Sequence, residues 1–103
     1  MALQELRKAV QVEPENAYWQ SGLAYALVDR RDLAGALVAA REALRLDANC
    51  PDSHDAMGMV LEAQGNVEQA IGEFKEAVRL APPARSEFLE HLKHAVRATK
   101  SVR

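Results

Sequence analysis

Leu3, Leu6 and Val10, with Ala9 beside them, fall on one helical stripe that stops short of Pro14. Asn16 is placed to cap a second helix over about residues 17–30, whose Tyr18, Trp19, Leu23, Ala26 and Leu27 occupy faces that need cover. Asp32 then precedes a third stripe of Leu33, Ala36, Leu37, Ala40 and Leu44. The run from Asp47 to Pro51 breaks it, and Pro51 suits the first turn of a fourth helix with Met57, Val60 and Leu61 on its apolar side. Gly65 is suited to a left-handed cap, and Asn66 with Gln69 reads as a capping box opening a fifth helix along Ile71, Phe74, Val78 and Leu80. Pro82-Pro83 ends that helix, and a sixth is predicted from about Ser86 to about Lys100. The connecting turns are short, which makes successive helices antiparallel neighbours.

The stripes repeat at a step of 34: Ala9, Ala43 and Ala77; Val10, Leu44 and Val78; Val12, Leu46 and Leu80; Leu3, Leu37 and Ile71. The breaks keep the same step, with Arg31-Asp32 answered by Gly65-Asn66 and Pro14 by Pro82. A fixed period containing two helical patterns predicts a stacked array of helical hairpins. Ala24 and Gly58 are equivalent, as are Ala36 and Ala70, so small residues stand wherever paired helices must approach closely. No helix here can bury its stripe alone, and stability is expected from nearest-neighbour stacking.

The 103 residues suffice for one domain, and at 49% apolar residues a core can form despite only 5% aromatics. The net charge of −2 argues against a general nucleic-acid grip. Charge is uneven: Arg85, Lys93, Arg97, Lys100 and Arg103 against Glu87 and Glu90 give residues 85–103 a net of +3, read as a solvated helix end with cations near its carboxyl terminus. Cys50 is the only cysteine, so no internal disulfide forms. No apolar segment approaches membrane-spanning length, and no cationic start leads into an apolar stretch. The expectation is a soluble chain, with a cytoplasmic location, bound to neither membrane nor nucleic acid.

The second copy, with Met57-Gly58, Leu61, Gly65-Asn66, Ala70-Ile71, Phe74, Ala77-Val78 and Leu80-Ala81-Pro82, resembles the tetratricopeptide repeat. The first keeps Leu23-Ala24, Leu27, Asp32-Leu33, Ala36-Leu37 and Ala43-Leu44. The resemblance implies an all-α, right-handed superhelical solenoid of six antiparallel helices forming a single domain over 1–103. Residues 1–16 would be the second helix of a partial repeat, 17–50 and 51–84 full repeats, and 85–103 a covering helix. Two departures stand out. Gln20 replaces the usual early aromatic, with Trp19 expected to turn inward onto Leu6 or Val10 in its place. Ala40 stands where the second copy has Phe74, leaving volume for Trp19 or Tyr18 to fill.

In this family the first helix of each repeat lines a concave groove. Carried over by position, the groove residues are Tyr18, Ser21, Tyr25 and Val28, then Asp52, Asp55, Met59 and Glu62, with Lys93 from the covering helix. Tyrosine offers rigid apolar area with a polar tip and methionine adapts to its partner. The three acids would make one wall negative, so the expected partner is a protein or peptide segment with apolar anchors and basic flanks. Some family members clamp a terminal carboxylate. The corresponding positions here are Ser21, Tyr25, Ala56, Ser86 and Glu90, and none is a cation.

No catalytic arrangement, cofactor loop or metal-ligand spacing is present. His91 and His94 share a helix face but read as solvent-facing, and Cys50 as a surface thiol. Leu3, Leu6 and Val10 have no helix before them, which predicts self-association through residues 1–12 or docking of earlier repeats. A non-catalytic interaction scaffold is the leading expectation. The alternative is a structural segment of a longer enzyme or assembly protein, positioning another domain.

Overall fold

The computed structural model describes residues 2–101. Met1, Val102 and Arg103, the last counted in the basic tail, lie outside them. The described residues form six helices and no strand: α1 (Leu3–Val12), α2 (Ala17–Asp29), α3 (Leu33–Leu46), α4 (Pro51–Ala63), α5 (Val67–Leu80) and α6 (Glu87–Ser101). α2 packs on α3 and α4 on α5, α4 also lies against α2 and α3, and α1 joins the stack through α2. α6 lies along α5 and touches α4 more lightly. The stack measures 45 × 29 × 22 Å, the elongated shape expected when each helical pair meets only its neighbours.

Local chemistry sets the boundaries. The Asn16 side chain accepts from the Trp19 amide at 3.1 Å and Asp32 from the Gly35 amide at 3.0 Å, each satisfying a donor that helix geometry leaves free. Pro51 occupies the first turn of α4, where its missing N–H costs nothing. α2 and α4 end in the same turn. The amides of Asp32 and Asn66 reach back to the carbonyls of Leu27 and Leu61 at 2.9 and 2.8 Å, and those of Arg31 and Gly65 to Val28 and Glu62 at 3.0 Å. Between them sits a left-handed residue, Gly65 at φ 89° but Arg31 at φ 64°. The expected capping box at Asn66 and Gln69 does not form: Asn66 makes no side-chain cap bond. Its backbone amide, the donor Gln69 would need, is already bonded to Leu61.

The core has two parts. Ala24, Leu27, Ala36, Ala39, Ala40, Ala56, Met57 and Val60 cluster between α2, α3 and α4. Ala70, Phe74 and Ala95 join Met59, Leu61, Ile71 and Leu92 between α4, α5 and α6. Gly58 is required by the second: a Cβ there would stand 2.5 Å from Phe74 Cε1. The first repeat solves the same contact with Ala24 and Ala40, both fully buried, so the methyl that Gly58 lacks faces the side chain that Phe74 enlarges. Neither Tyr18 nor Trp19 fills that place, contrary to expectation. Tyr18 is exposed, and Trp19 lies half-buried against α1 beside Ala9 and Val12. The early aromatic position is held instead by Gln20, buried with its amide donating to the Pro14 carbonyl at 3.2 Å.

Candidate functional site

The inner face of α2 carries Tyr18, Ser21, Gly22, Tyr25 and Asp29, spaced by three and four so that all share one side of the helix. With Leu6 of α1 and Asp52 of α4 they line a pocket of about 310 Å³, closed further by Trp19 and floored in part by Ala26. Tyr18 and Trp19 meet edge to face, with centroids 5.4 Å apart and planes at 64°. Of the groove residues expected from the sequence, Tyr18, Ser21, Tyr25 and Asp52 line this pocket. Ser21 is buried and its Oγ donates to the Ala17 carbonyl at 2.9 Å, which leaves its hydroxyl proton engaged. Val28 does not line the pocket; it packs on the first core cluster. Trp19 was not expected among the lining residues, because it was assigned to replace a core aromatic.

The α4 side differs from expectation. Its acids form no open negative wall, because α6 and the turn before it bring Arg85, His91 and His94 onto them. Asp52 Oδ1 accepts from Arg85 Nη2 at 2.9 Å, while Arg85 Nε bonds Glu87 at 2.6 Å and the guanidinium lies 4.7 Å from the Phe88 ring centre. Asp55 is 0% exposed. It accepts the Tyr25 hydroxyl at 2.6 Å and faces His91 Nδ1 at 2.9 Å with both oxygens. A carboxylate can only accept, so His91 Nδ1 carries the proton. Glu62 accepts from His94 Nδ1 at 3.1 Å, and Met59 is packed on the second core cluster. Asp55, Met59 and Glu62 are therefore taken up by the protein itself. Lys93 is exposed and, among the described residues, its ion-pair partner is Glu90, at 3.6 Å.

Tyr25, Asp55 and His91 form a continuous polar chain across α2, α4 and α6. Burial, then the Asp55 charge, push the Tyr25 phenol well above its ordinary range, so it stays a neutral donor. The hydrogen bond that His91 donates to Asp55 raises His91 above the usual imidazole value against the opposing effect of burial. His91 is thus half-buried and bonded rather than solvent-facing as expected, whereas His94 is exposed although bonded to Glu62. The signal was present in the sequence: acids at 52, 55 and 62 on one helix, and Arg85, His91 and His94 on the segment that follows.

The amino-terminal stripe also differs from expectation. Leu6 is 6% exposed, lying over Gly22 of α2, where an added Cβ would stand 2.9 Å from Leu6 Cδ2. Leu3 packs on the first core cluster and Val10 is half-buried. The helix that follows covers Leu6, while Leu3 and Val10 remain half-buried. Among the described residues, no three His, Cys, Asp or Glu side chains gather as a metal ion would need, and no helix is long and apolar enough to cross a membrane.

Two stacked hairpins in register, each closed by the same left-handed turn, define an all-α solenoid of paired helices. The chain belongs to the tetratricopeptide-repeat family: residues 51–84 match its profile, and solved tetratricopeptide domains share its fold. It is 34% identical over 76 residues to the human mitochondrial import receptor subunit TOM70, a match covering 72% of this chain and 12% of the receptor. The rat receptor matches to the same extent. Among solved structures, the first such domain of Spaghetti (RPAP3) bound to the HSP90 peptide SRMEEVD superposes with a TM-score of 0.77 at 18% identity, over 95% of this chain and 77% of that one. An O-GlcNAc transferase of Thermobaculum terrenum superposes with a TM-score of 0.80 at 24% identity, over 91% of this chain and 18% of the enzyme. The chain thus spans about an eighth of the curated relatives it matches.

Proposed function

We propose that this chain is a non-catalytic binding module that holds a peptide segment of a partner protein against the inner face of α1 and α2. The observation that carries this reading is the pocket bounded by Tyr18, Trp19 and Tyr25: it keeps large aromatic surface accessible, while the equivalent face of α4 is closed by α6. Aromatic rings that leave a core to stand in a concavity are typical anchors of recognition surfaces. The RPAP3 structure, whose peptide has three acidic residues and one basic, supports peptide capture as something this architecture can do. It does not support the same ligand here. Arg85, which reaches the lining residue Asp52, is already bonded to it and to Glu87. The expected preference for basic residues in the partner segment now rests on Asp29, which lines the pocket, since Asp52, Asp55 and Glu62 are paired within the chain.

A test is selection of a random dodecapeptide display library on the full chain, with counter-selection on Tyr18→Ala. Tyr18 is 56% exposed, so this variant keeps the fold. Peptides that bind the parent and lose at least tenfold on the variant are the expected result. A library that yields only peptides indifferent to Tyr18 would remove the reading. A second reading, in which the repeats only position another domain of a longer protein, is favoured by the short share of the import receptor and of the O-GlcNAc transferase that the chain covers. It predicts no Tyr18-dependent peptide at all.

A further inference from the structure

We infer that the pocket between α1 and α2 takes the side chain of a lysine or arginine from the bound peptide, so that the anchor is a cation rather than an apolar residue. The inference rests on the peptide-binding reading above and specifies the ligand of that site.

Three features converge. The pocket presents three aromatic side chains, and Tyr18 and Trp19 stand as two adjoining walls at 64° to one another. Ring faces carry negative charge density and attract ammonium and guanidinium groups. Its lining also includes apolar Leu6, Gly22 and Ala26, which suit the methylene stem of a long cationic side chain. The volume of about 310 Å³ lies near the lower end for ligand pockets, about 300–1,000 Å³, appropriate to one long side chain and its backbone.

Charge supplies the third feature. No Lys, Arg or His lines the pocket, and its two ionisable acids are Asp29 and Asp52. Asp52 is neutralised by Arg85 at 2.9 Å. Asp29 is exposed and makes no ion pair among the described residues, although Arg30 and Arg31 follow it in the chain. It is also the last residue of α2, a helix with no basic residue in its final turn. A carboxylate there faces the negative end of the helix macrodipole, so Asp29 works against the helix it belongs to. A bound cation at the pocket mouth would compensate both that dipole and the unpaired charge.

The test uses the dodecapeptides selected above, with binding read from the fluorescence of Trp19, the only tryptophan in the chain and itself a pocket wall. In each Tyr18-dependent peptide the anchor residue is found by alanine scanning and then replaced by norleucine, which keeps the four-carbon stem of lysine without its charged nitrogen. The expected result is a lysine or arginine anchor, a loss of roughly tenfold with norleucine, and a severalfold loss for the cationic peptide on Asp29→Asn. That variant should leave the norleucine peptide unaffected and the melting temperature unchanged or raised. Anchors that are leucine or phenylalanine, or norleucine peptides that bind as tightly as their lysine parents, would overturn this inference and leave peptide binding intact. The absence of any Tyr18-dependent peptide would overturn both.

Discussion

Substituting Gly58 by alanine should change sign with its surroundings. In the parent chain the new Cβ would meet Phe74 Cε1, Cδ1 and Cζ at 2.5, 2.7 and 3.0 Å. Phe74 is fully buried within the cluster shared by α4, α5 and α6, so its ring has no free volume to swing into. Forcing an extra methyl into such a contact costs about 1–3 kcal/mol. Replacing glycine by alanine inside a helix returns about 1 kcal/mol. Gly58→Ala should therefore destabilise the parent by about 1 kcal/mol. Phe74→Ala alone should cost about 3–5 kcal/mol through lost burial and the cavity left behind. On that background the ring atoms are gone, the clash vanishes, and Gly58→Ala should stabilise by about 1 kcal/mol. The coupling of about 2 kcal/mol is readable from urea unfolding of the four proteins of a double-mutant cycle. The double variant reproduces the Ala24 and Ala40 pairing of the first repeat. If Gly58→Ala has the same effect with and without the Phe74 ring, the account of how the two repeats divide one packing volume is wrong.

Two further outcomes follow from the turns and from the polar chain. Arg31 holds the left-handed position that Gly65 holds one repeat later. Arg31→Gly should stabilise by about 0.5–1 kcal/mol and Gly65→Ala should destabilise by about 1 kcal/mol, seen as opposite displacements of the thermal midpoint. His91 is raised in the folded chain by Asp55, so its contribution is fully present below the unfolded value of 6.5 and is lost as pH climbs through the higher folded one. The stability difference between the parent and His91→Gln should shrink from pH 6 to pH 8.5 by at most about 1 kcal/mol, the side chain being partly solvated. A difference independent of pH would refute the pairing of a protonated His91 with Asp55.

The solenoid was legible because its determinants are local. Apolar spacing, Pro51, the caps at Asn16 and Asp32 and the turn at Gly65 each act within a few residues, and the step of 34 multiplies them. The same register puts Tyr18, Ser21 and Tyr25 on one face of α2, whereas Val28 packs on the core. What was not legible depended on how far α6 reaches across α4 after the bend at Pro82-Pro83. Positional transfer treats Asp55, Met59 and Glu62 as free surface because it treats the last helix as cover alone. Arg85, His91 and His94 became informative only once that helix was seen to lie opposite the α4 acids. Leu6 shows the same limit at the other end. An apolar stripe at a chain start carries no mark of whether the next helix covers it, and here a glycine at position 22 admits it.

The Asp55 hub bears on how the array comes apart. Helical repeats joined only by nearest-neighbour contacts can fray from an end, one element at a time. Peeling α6 away here removes the imidazole from a carboxylate that no water reaches in the intact stack, and leaves Tyr25 as its remaining side-chain partner. Losing that charge-assisted hydrogen bond adds to the cost of the first detached state, which ties the terminal helix to the fate of the two repeats.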